Sequence, residues 1–228
     1  MTPECDLRRW DDAAALASAL AGELATRLAG AIAARGQASL VVPGGRTPLP
    51  VFEQLSEAAL DWARVTVTLT DERWVDPQDA ASNEGLVRRA LLQGPAAAAR
   101  FVPLKTAAAS PLEGAVAASR ALEVVERPFD IVVLGMGDDG HTASLFPLSP
   151  GIGAALDPAA VPGCVAMTAP VAPVARLSLN LAALTQARQL IVHFTGEAKW
   201  RVWQAAGSLP IGLTLRRSAS RPLLYWSP

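Results

Sequence analysis

A histidine that follows a glycine and lies close to a carboxylate is the residue of this chain best suited to proton transfer. His141 belongs to the segment 135–147 and is one of only two histidines in the chain. An imidazole accepts and donates protons near neutral pH, and Asp139, two residues earlier, is placed to orient the ring. The spacing therefore predicts an acid–base pair. The second histidine, His193, lies in an apolar strand pattern, which predicts a core position with no catalytic role.

A glycine-rich segment elsewhere in the chain favours the binding of an anion such as phosphate. Gly44 and Gly45 allow the backbone to approach a ligand closely. Thr47 and Pro48 then predict the start of a helix, whose free N–H groups attract negative charge. On local grounds alone, a strand-to-helix turn that needs these residues only for its geometry explains the segment equally well.

Basic residues in three other segments point to the same chemistry. Arg73 carries paired donors that can grip a phosphate, and the nearby Asp71 is placed to hold a sugar hydroxyl or move a proton. Lys199 lies in the first turn of a predicted helix, where a cation is unfavourable unless an anion compensates it. Arg176 could point the same way, but on local grounds a surface position explains this arginine equally well. For Glu72, a position in a solvated loop is the better explanation. The candidate ligand-binding residues are Gly44, Gly45, Arg46, Thr47, Asp71, Arg73, Arg176 and Lys199.

Short β-branched apolar runs alternate with longer helical patterns along the chain, which predicts an α/β fold with a mainly parallel sheet covered by helices on both faces. No linker or repeat marks a boundary, so we predict a single domain over residues 1–228. The predicted strands cover 39–42, 65–70, 130–134, 164–168, 177–181, 189–195 and 223–226. The predicted helices cover 11–34, 48–59, 83–92, 111–125, 141–146 and 197–206. Ligands of such sheets bind beyond the carboxyl ends of the strands, where the candidate residues lie.

Composition excludes several other classes of protein. The 20 basic and 21 acidic residues give a formal net charge of −1, without the basic excess typical of nucleic-acid-binding domains. Glu23 and Arg27 interrupt the alanine-rich stretch 11–35, which argues against a membrane span. The first 12 residues mix charges of both signs, unlike a signal peptide. Two separated cysteines and two separated histidines give no basis for a metal site. We therefore expect a cytoplasmic protein without a metal or cofactor.

Taken together, these segments resemble the 6-phosphogluconolactonase family. The resemblance rests on GGRTP at 44–48, DERWV at 71–75 with Ser82 and Asn83, GMGDDGHTASLFP at 135–147, RLSL at 176–179 and GEAK at 196–199. These blocks follow the family's order and spacing from residue 41 to residue 199, and the block containing the histidine is the most specific. One departure is visible, because Arg46 stands where the family usually has serine.

The resemblance implies a three-layer, Rossmann-like α/β sandwich and the hydrolysis of 6-phospho-D-glucono-1,5-lactone in the pentose phosphate pathway. It implies that His141 is the general base, that Asp139 orients it, and that Arg73 and Lys199 hold the 6-phosphate with the amides of residues 44–47. Arg176 is an additional helper, and amides within 135–140 are candidates for stabilising the oxyanion. The expected partner is a small phosphosugar lactone rather than nucleic acid or membrane, and no oligomeric partner is predicted.

Three alternatives accompany this interpretation. Glucosamine-6-phosphate deaminases share the glycine loop, but members of that family resemble one another in having a glutamate five residues beyond the histidine. This chain has Phe146 at that position. A sugar-phosphate sensor of the same fold would carry a helix-turn-helix domain and would not need His141. The glycines at 135, 137 and 140 formally match a dinucleotide-binding fingerprint, but Asp138 and Asp139 would repel a pyrophosphate there.

Overall fold

The computed structural model describes residues 4–228, and over that range the chain forms ten strands and eight α-helices. The strands are β1 (Asp6–Arg9), β2 (Ala38–Val42), β3 (Val65–Leu69), β4 (Asp71–Arg73), β5 (Arg100–Phe101), β6 (Phe129–Leu134), β7 (Cys164–Thr168), β8 (Ala175–Leu179), β9 (Ala187–Thr195) and β10 (Leu223–Ser227). The helices are α1 (Ala13–Arg35), α2 (Leu49–Ser56), α3 (Asn83–Ala90), α4 (Pro111–Ala121), α5 (Ile152–Ala155), α6 (Leu181–Thr185), α7 (Glu197–Gln204) and α8 (Pro210–Leu215).

Seven of these strands form one parallel sheet in the order β1-β10-β9-β6-β2-β3-β5. Near its middle lies β6, in which Ile131, Val132, Val133 and Leu134 are all buried, as its unbroken apolar run predicts. The α-helices flank this sheet, so the predicted α/β class is confirmed. The buried side chains of the sheet and helices join in one hydrophobic cluster.

A second, three-stranded antiparallel sheet has the order β4-β8-β7. The sequence predicted strands at 164–168 and 177–181, but not that they form a sheet of their own. Only residues 169–174 connect β7 to β8, and a link this short allows antiparallel pairing but not the crossover that parallel strands need. The second of these strands also ends earlier than predicted, because the Asn180 side chain caps α6 by accepting a hydrogen bond from the Ala183 N–H.

By length and composition alone, α1 is apolar enough to cross a membrane. Its leucines recur every four residues, at Leu16, Leu20, Leu24 and Leu28, and all four side chains are buried. This spacing places them on one face of the helix, which packs against α2 and the parallel sheet. In the folded chain α1 is therefore a core helix.

Candidate active site

The parallel sheet brings three of the predicted loops together. Its order places β9, β6 and β2 side by side, so the segments that follow their carboxyl ends are neighbours. These segments surround a cavity of about 410 Å³, a volume in the range of small-molecule sites. The predicted site residues that line it are Gly44, Gly45, Arg46, Thr47, Asp71, Arg73, His141, Arg176 and Lys199. Asp139 lies just behind the wall, against His141.

The predicted contact between His141 and Asp139 is present. The His141 Nδ1 atom lies 2.5 Å from the Asp139 Oδ1 atom, and the His141 backbone N–H donates to the same oxygen at 3.0 Å. Partial burial acts to raise the pKa of Asp139, but these two hydrogen bonds and the charge of the His141 ring outweigh it, so the pKa is lowered. Asp139 is thus held as a carboxylate that accepts from Nδ1–H, which leaves the Nε2 lone pair of His141 free for a proton.

The segment around His141 is a tight turn, although the sequence analysis predicted a helix over 141–146. Ala143 has a φ of +49°, which interrupts any right-handed helix. The Thr142 hydroxyl donates to the Gly135 carbonyl at 2.9 Å, and the Gly137 N–H donates to the His141 carbonyl at 2.9 Å. A Cβ atom on Gly137 would lie 2.1 Å from the His141 ring, so the turn needs glycine there to seat the imidazole.

The same turn narrows the choice of oxyanion donors. The Gly137 N–H is used by the His141 carbonyl, and the Gly140 N–H donates to the Gly137 carbonyl at 3.0 Å. Both amides therefore serve the turn itself, so neither is a free donor for a ligand in this structure.

Phe146 packs against the catalytic candidate from the other side. Its ring centroid lies 4.4 Å from that of His141, the two planes are tilted by 44°, and Phe146 lines the cavity. A glutamate at this position would supply a second proton-transfer group. Phe146 instead makes an apolar contact that restricts the imidazole ring.

Asp71 links the two sheets. Its Oδ2 atom accepts from the Ser144 hydroxyl at 2.6 Å and its Oδ1 atom from the Thr70 hydroxyl at 3.1 Å, while Asp71 itself is buried in the cavity wall. The backbone N–H of Ser144 also donates to the Ser178 hydroxyl of β8, at 3.2 Å. The loop that carries His141 is thereby tied to β4 and β8.

Arg73 and Arg176 face each other across β4 and β8, as direct partners in the antiparallel register. Arg176 is only 6% exposed. Burial and the charge of Arg73 lower the pKa of Arg176, against the opposing effect of Asp71 and Glu72. Within residues 4–228, the buried Arg73 Nε atom has no hydrogen-bond partner. Two like charges opposite each other in a sheet are unfavourable, a cost that an anion in the cavity would offset.

Glu72 has a structural role that the sequence analysis missed when it assigned the residue to a solvated loop. It is completely buried and points away from the cavity. Its carboxylate accepts the backbone N–H groups of Arg73, Asn83 and Glu84, each at 2.7 Å. Desolvation raises the pKa of Glu72, outweighing the effect of these hydrogen bonds, and the charge of Asp71 adds to it. Glu72 thus fixes the start of α3 against β4.

Asn83 lines the cavity, although the sequence analysis named it only as part of the family resemblance. It begins α3, which Ser82 caps, since the Ser82 hydroxyl accepts from the Gly85 N–H at 3.1 Å. The Asn83 Nδ2 atom donates to the Asp71 carbonyl at 2.8 Å, and a Cβ on Gly44 would lie 1.8 Å from the Asn83 Oδ1 atom. The glycine loop and α3 therefore touch, which requires the missing side chain at Gly44.

The remaining polar side chains of the wall come from the ends of β2 and β9. Arg46 is exposed at the rim, and Thr47 lies half-buried beside it. Lys199 is half-buried in the first turn of α7 and takes part in no salt bridge within the described part of the chain. His193 is buried in β9, as its apolar neighbours predict, yet it also lines the cavity.

The sequence matches one family over almost its whole length. Residues 11–219 match the model of glucosamine-6-phosphate isomerases/6-phosphogluconolactonase. A 6-phosphogluconolactonase of Pseudomonas aeruginosa is 50% identical over 228 residues, which cover 97% of this chain and 94% of that protein. A 6-phosphogluconolactonase of Rhizobium meliloti is 46% identical, with 96% of this chain and 97% of that protein covered.

Solved structures give the same result for the fold. A 6-phosphogluconolactonase from Shewanella baltica superposes with a TM-score of 0.93 at 41% identity, with both chains covered completely. A monomeric glucosamine-6-phosphate deaminase superposes with a TM-score of 0.78 at 15% identity, covering 97% of each chain. The second likeness concerns the fold alone.

The three backbone N–H groups that donate to Glu72 lead to a prediction about stability. In Glu72→Gln one carboxylate oxygen becomes an NH₂ group that meets a backbone N–H, so we expect the free energy of unfolding to fall by about 1–3 kcal/mol. Urea unfolding followed by circular dichroism measures this change. The exposed Glu113→Gln variant is the control and should unfold like the wild type. Equal stability of all three proteins would show that Glu72 does not hold α3 in place.

Proposed function

The chain belongs to the glucosamine-6-phosphate isomerase and 6-phosphogluconolactonase family, and we propose that His141, oriented by Asp139, is the general base of its reaction. The protein hydrolyses 6-phospho-D-glucono-1,5-lactone to 6-phospho-D-gluconate, a step of the oxidative pentose phosphate pathway. One observation carries the assignment of roles: the imidazole–carboxylate pair and a group of cations converge on one cavity of about 410 Å³.

In the proposed mechanism, His141 first acts as a base. With Nδ1–H donated to Asp139, the Nε2 atom takes a proton from water as the water oxygen attacks the lactone carbonyl carbon. The resulting imidazolium is stabilised by the Asp139 carboxylate, whose lowered pKa keeps it ionised. The ring C–O bond then breaks and the ring oxygen receives the proton from Nε2, so that one water is added in total and His141 returns to its neutral form.

The cations of the wall would hold the 6-phosphate. Arg73 and Arg176 approach from the second sheet and Lys199 from α7, and the amides of the glycine loop at 44–47 complete the phosphate site. Asp71 retains acceptor capacity beyond the hydroxyls of Thr70 and Ser144, and it would accept a hydrogen bond from a sugar hydroxyl. Because a lactone is an activated ester, fixing the substrate at its phosphate supplies much of the remaining rate enhancement.

We also propose that the protein works in the cytoplasm. Both cysteines, Cys5 and Cys164, are free thiols, as is usual in a reducing compartment. The proposed substrate carries a phosphate, which keeps it inside the cell that makes it. Cell fractionation tests this location, and recovery of the protein outside the cytoplasmic fraction would contradict it.

Replacing His141 tests the base directly. In His141→Asn the water loses its proton acceptor, so we expect kcat to fall by about 10²- to 10⁴-fold while KM changes little. Base consumption in a pH-stat, corrected for spontaneous hydrolysis of the lactone, measures the rate. Wild-type kcat in the variant would remove His141 from the mechanism. Ammonia release from glucosamine 6-phosphate by the wild type, without lactone hydrolysis, would instead favour a deaminase.

Two adjacent aspartates provide a matched test of the orienting group. Asp139→Asn removes the carboxylate that accepts from the ring, and we expect kcat to fall by about 10- to 10³-fold at similar KM. Asp138→Asn changes an exposed neighbour that makes no hydrogen bond or ion pair with His141 within residues 4–228, and it should retain wild-type kcat. Equal losses in both variants would indicate a general effect of loop charge rather than orientation of the base.

The two lysines of the chain provide a matched test of the phosphate site. Lys199→Ala removes a charge-assisted bond to the substrate, so we expect KM to rise by about 10- to 100-fold with a smaller change in kcat. Lys105→Ala is the control, because Lys105 packs over the Trp74 ring outside the cavity. An unchanged KM in Lys199→Ala would remove this residue from the phosphate site.

A further inference from the structure

His193 occupies an unusual position for a core histidine. It lies near the carboxyl end of β9, where it is 4% exposed and shares the cavity wall with Lys199. Burial and the positive charge of Lys199 lower the pKa of His193 to about 4. At neutral pH the ring is therefore uncharged, with one nitrogen as a donor and the other as an acceptor.

Neither ring nitrogen of His193 makes a hydrogen bond to another of residues 4–228, and neither belongs to the fully enclosed polar atoms that lack a partner. The ring nitrogens are therefore open to the cavity that His193 lines, although the residue as a whole is only 4% exposed. The adjacent residues of the strand, Ile191, Val192 and Phe194, are apolar and fully buried, and they make no use of the cavity. A polar ligand in the cavity would give the imidazole the hydrogen-bond partner that the described chain does not supply.

The surroundings of His193 indicate which part of a ligand it meets. Lys199, the charged group that acts on it, makes no salt bridge within the described residues. Tyr225, its partner in the register of β10, lies outside the cavity wall. The Lys199 ammonium group and an imidazole N–H of His193 are two donors in the wall of the same cavity, and the oxygens of one phosphate would accept from both. A neutral donor also avoids burying a further cation beside Lys199.

We propose that His193 is a further substrate-binding residue, whose neutral imidazole donates a hydrogen bond to the substrate phosphate held by Lys199. This inference rests on the proposed function, because it takes the phosphorylated lactone as the ligand of the cavity. It gives His193 a part in selecting phosphorylated over unphosphorylated substrate, separate from the proton transfer assigned to His141.

The test compares two lactones that differ only in the phosphate. For His193→Leu we expect KM for 6-phospho-D-glucono-1,5-lactone to rise by about 10- to 100-fold, with kcat within about threefold of the wild type. For unphosphorylated D-glucono-1,5-lactone, kcat/KM should stay within about twofold of the wild type, because the lost hydrogen bond does not involve the sugar ring. His193→Asn and His193→Gln each place an N–H near one ring nitrogen, and one of them should restore most of the lost affinity.

Tyr225→Phe is the matched control, since it removes a polar atom from the same row of the sheet without touching the cavity. It should leave both lactones unaffected. Equal losses on the two lactones in His193→Leu, or an unchanged KM for the phosphorylated one, would overturn the proposal. These outcomes would assign the residue to packing.

Calorimetric titration with 6-phospho-D-gluconate separates this inference from the proposed function. If the wild type binds this product and His193→Leu binds it about 10-fold more weakly, His193 contacts the phosphate whether or not the wild type hydrolyses lactones. An inactive wild type with intact binding would contradict the proposed function only. A dissociation constant that is the same in wild type and His193→Leu would contradict the inference only.

Discussion

Parallel pairing of β2, β6 and β9 is the constraint on which the site depends. Parallel strands end at the same edge of a sheet, so segments that lie far apart in the sequence meet without any long-range specificity of their loops. The glycine loop, the turn around His141 and the start of α7 follow these strands directly. The apolar composition of β6, which decides its place in the middle of the sheet, therefore also decides where the base lies.

Cations outnumber carboxylates in the cavity wall, where Arg46, Arg73, Arg176 and Lys199 stand against Asp71. Arg73 and Arg176 are paired across β4 and β8, and Lys199 takes part in no salt bridge within the described residues. Such an arrangement costs stability in the empty protein and gains affinity for a phosphate. Glu72 both costs and contributes stability. Its buried charge is unfavourable, but the hydrogen bonds that it accepts from three backbone N–H groups hold β4 and α3 together beside the arginines.

Local patterns predicted five of the seven strands of the parallel sheet and the segments that line the cavity, since each depends on short-range features. They missed β1, whose side chains are exposed, and β5, which has only two residues. An apolar run, a glycine pair before a helix, and a histidine two residues after an aspartate are readable from the chain. The turn over 141–146 was mistaken for a helix because its residues permit one; Ala143 adopts a left-handed φ only through the closure of the turn by Thr142 and Gly137. The second sheet was missed for a related reason, as the pairing of β4 with β8 joins segments about 100 residues apart.

His193 shows a different limit of sequence reasoning. A histidine in an apolar strand pattern is predicted to lie in the core, and His193 is indeed buried. The pattern does not indicate that the end of this strand lies at a cavity, which His193 also lines. The bond from Ser144 to Asp71 has the same character, because it fastens the loop of the base to the sheet that carries the arginines. In the proposed mechanism, that bond helps to fix the distance between the imidazole and the cations that would hold the phosphate. A substrate of fixed length would then be recognised at both ends at once, so its phosphate would place the lactone carbonyl next to His141.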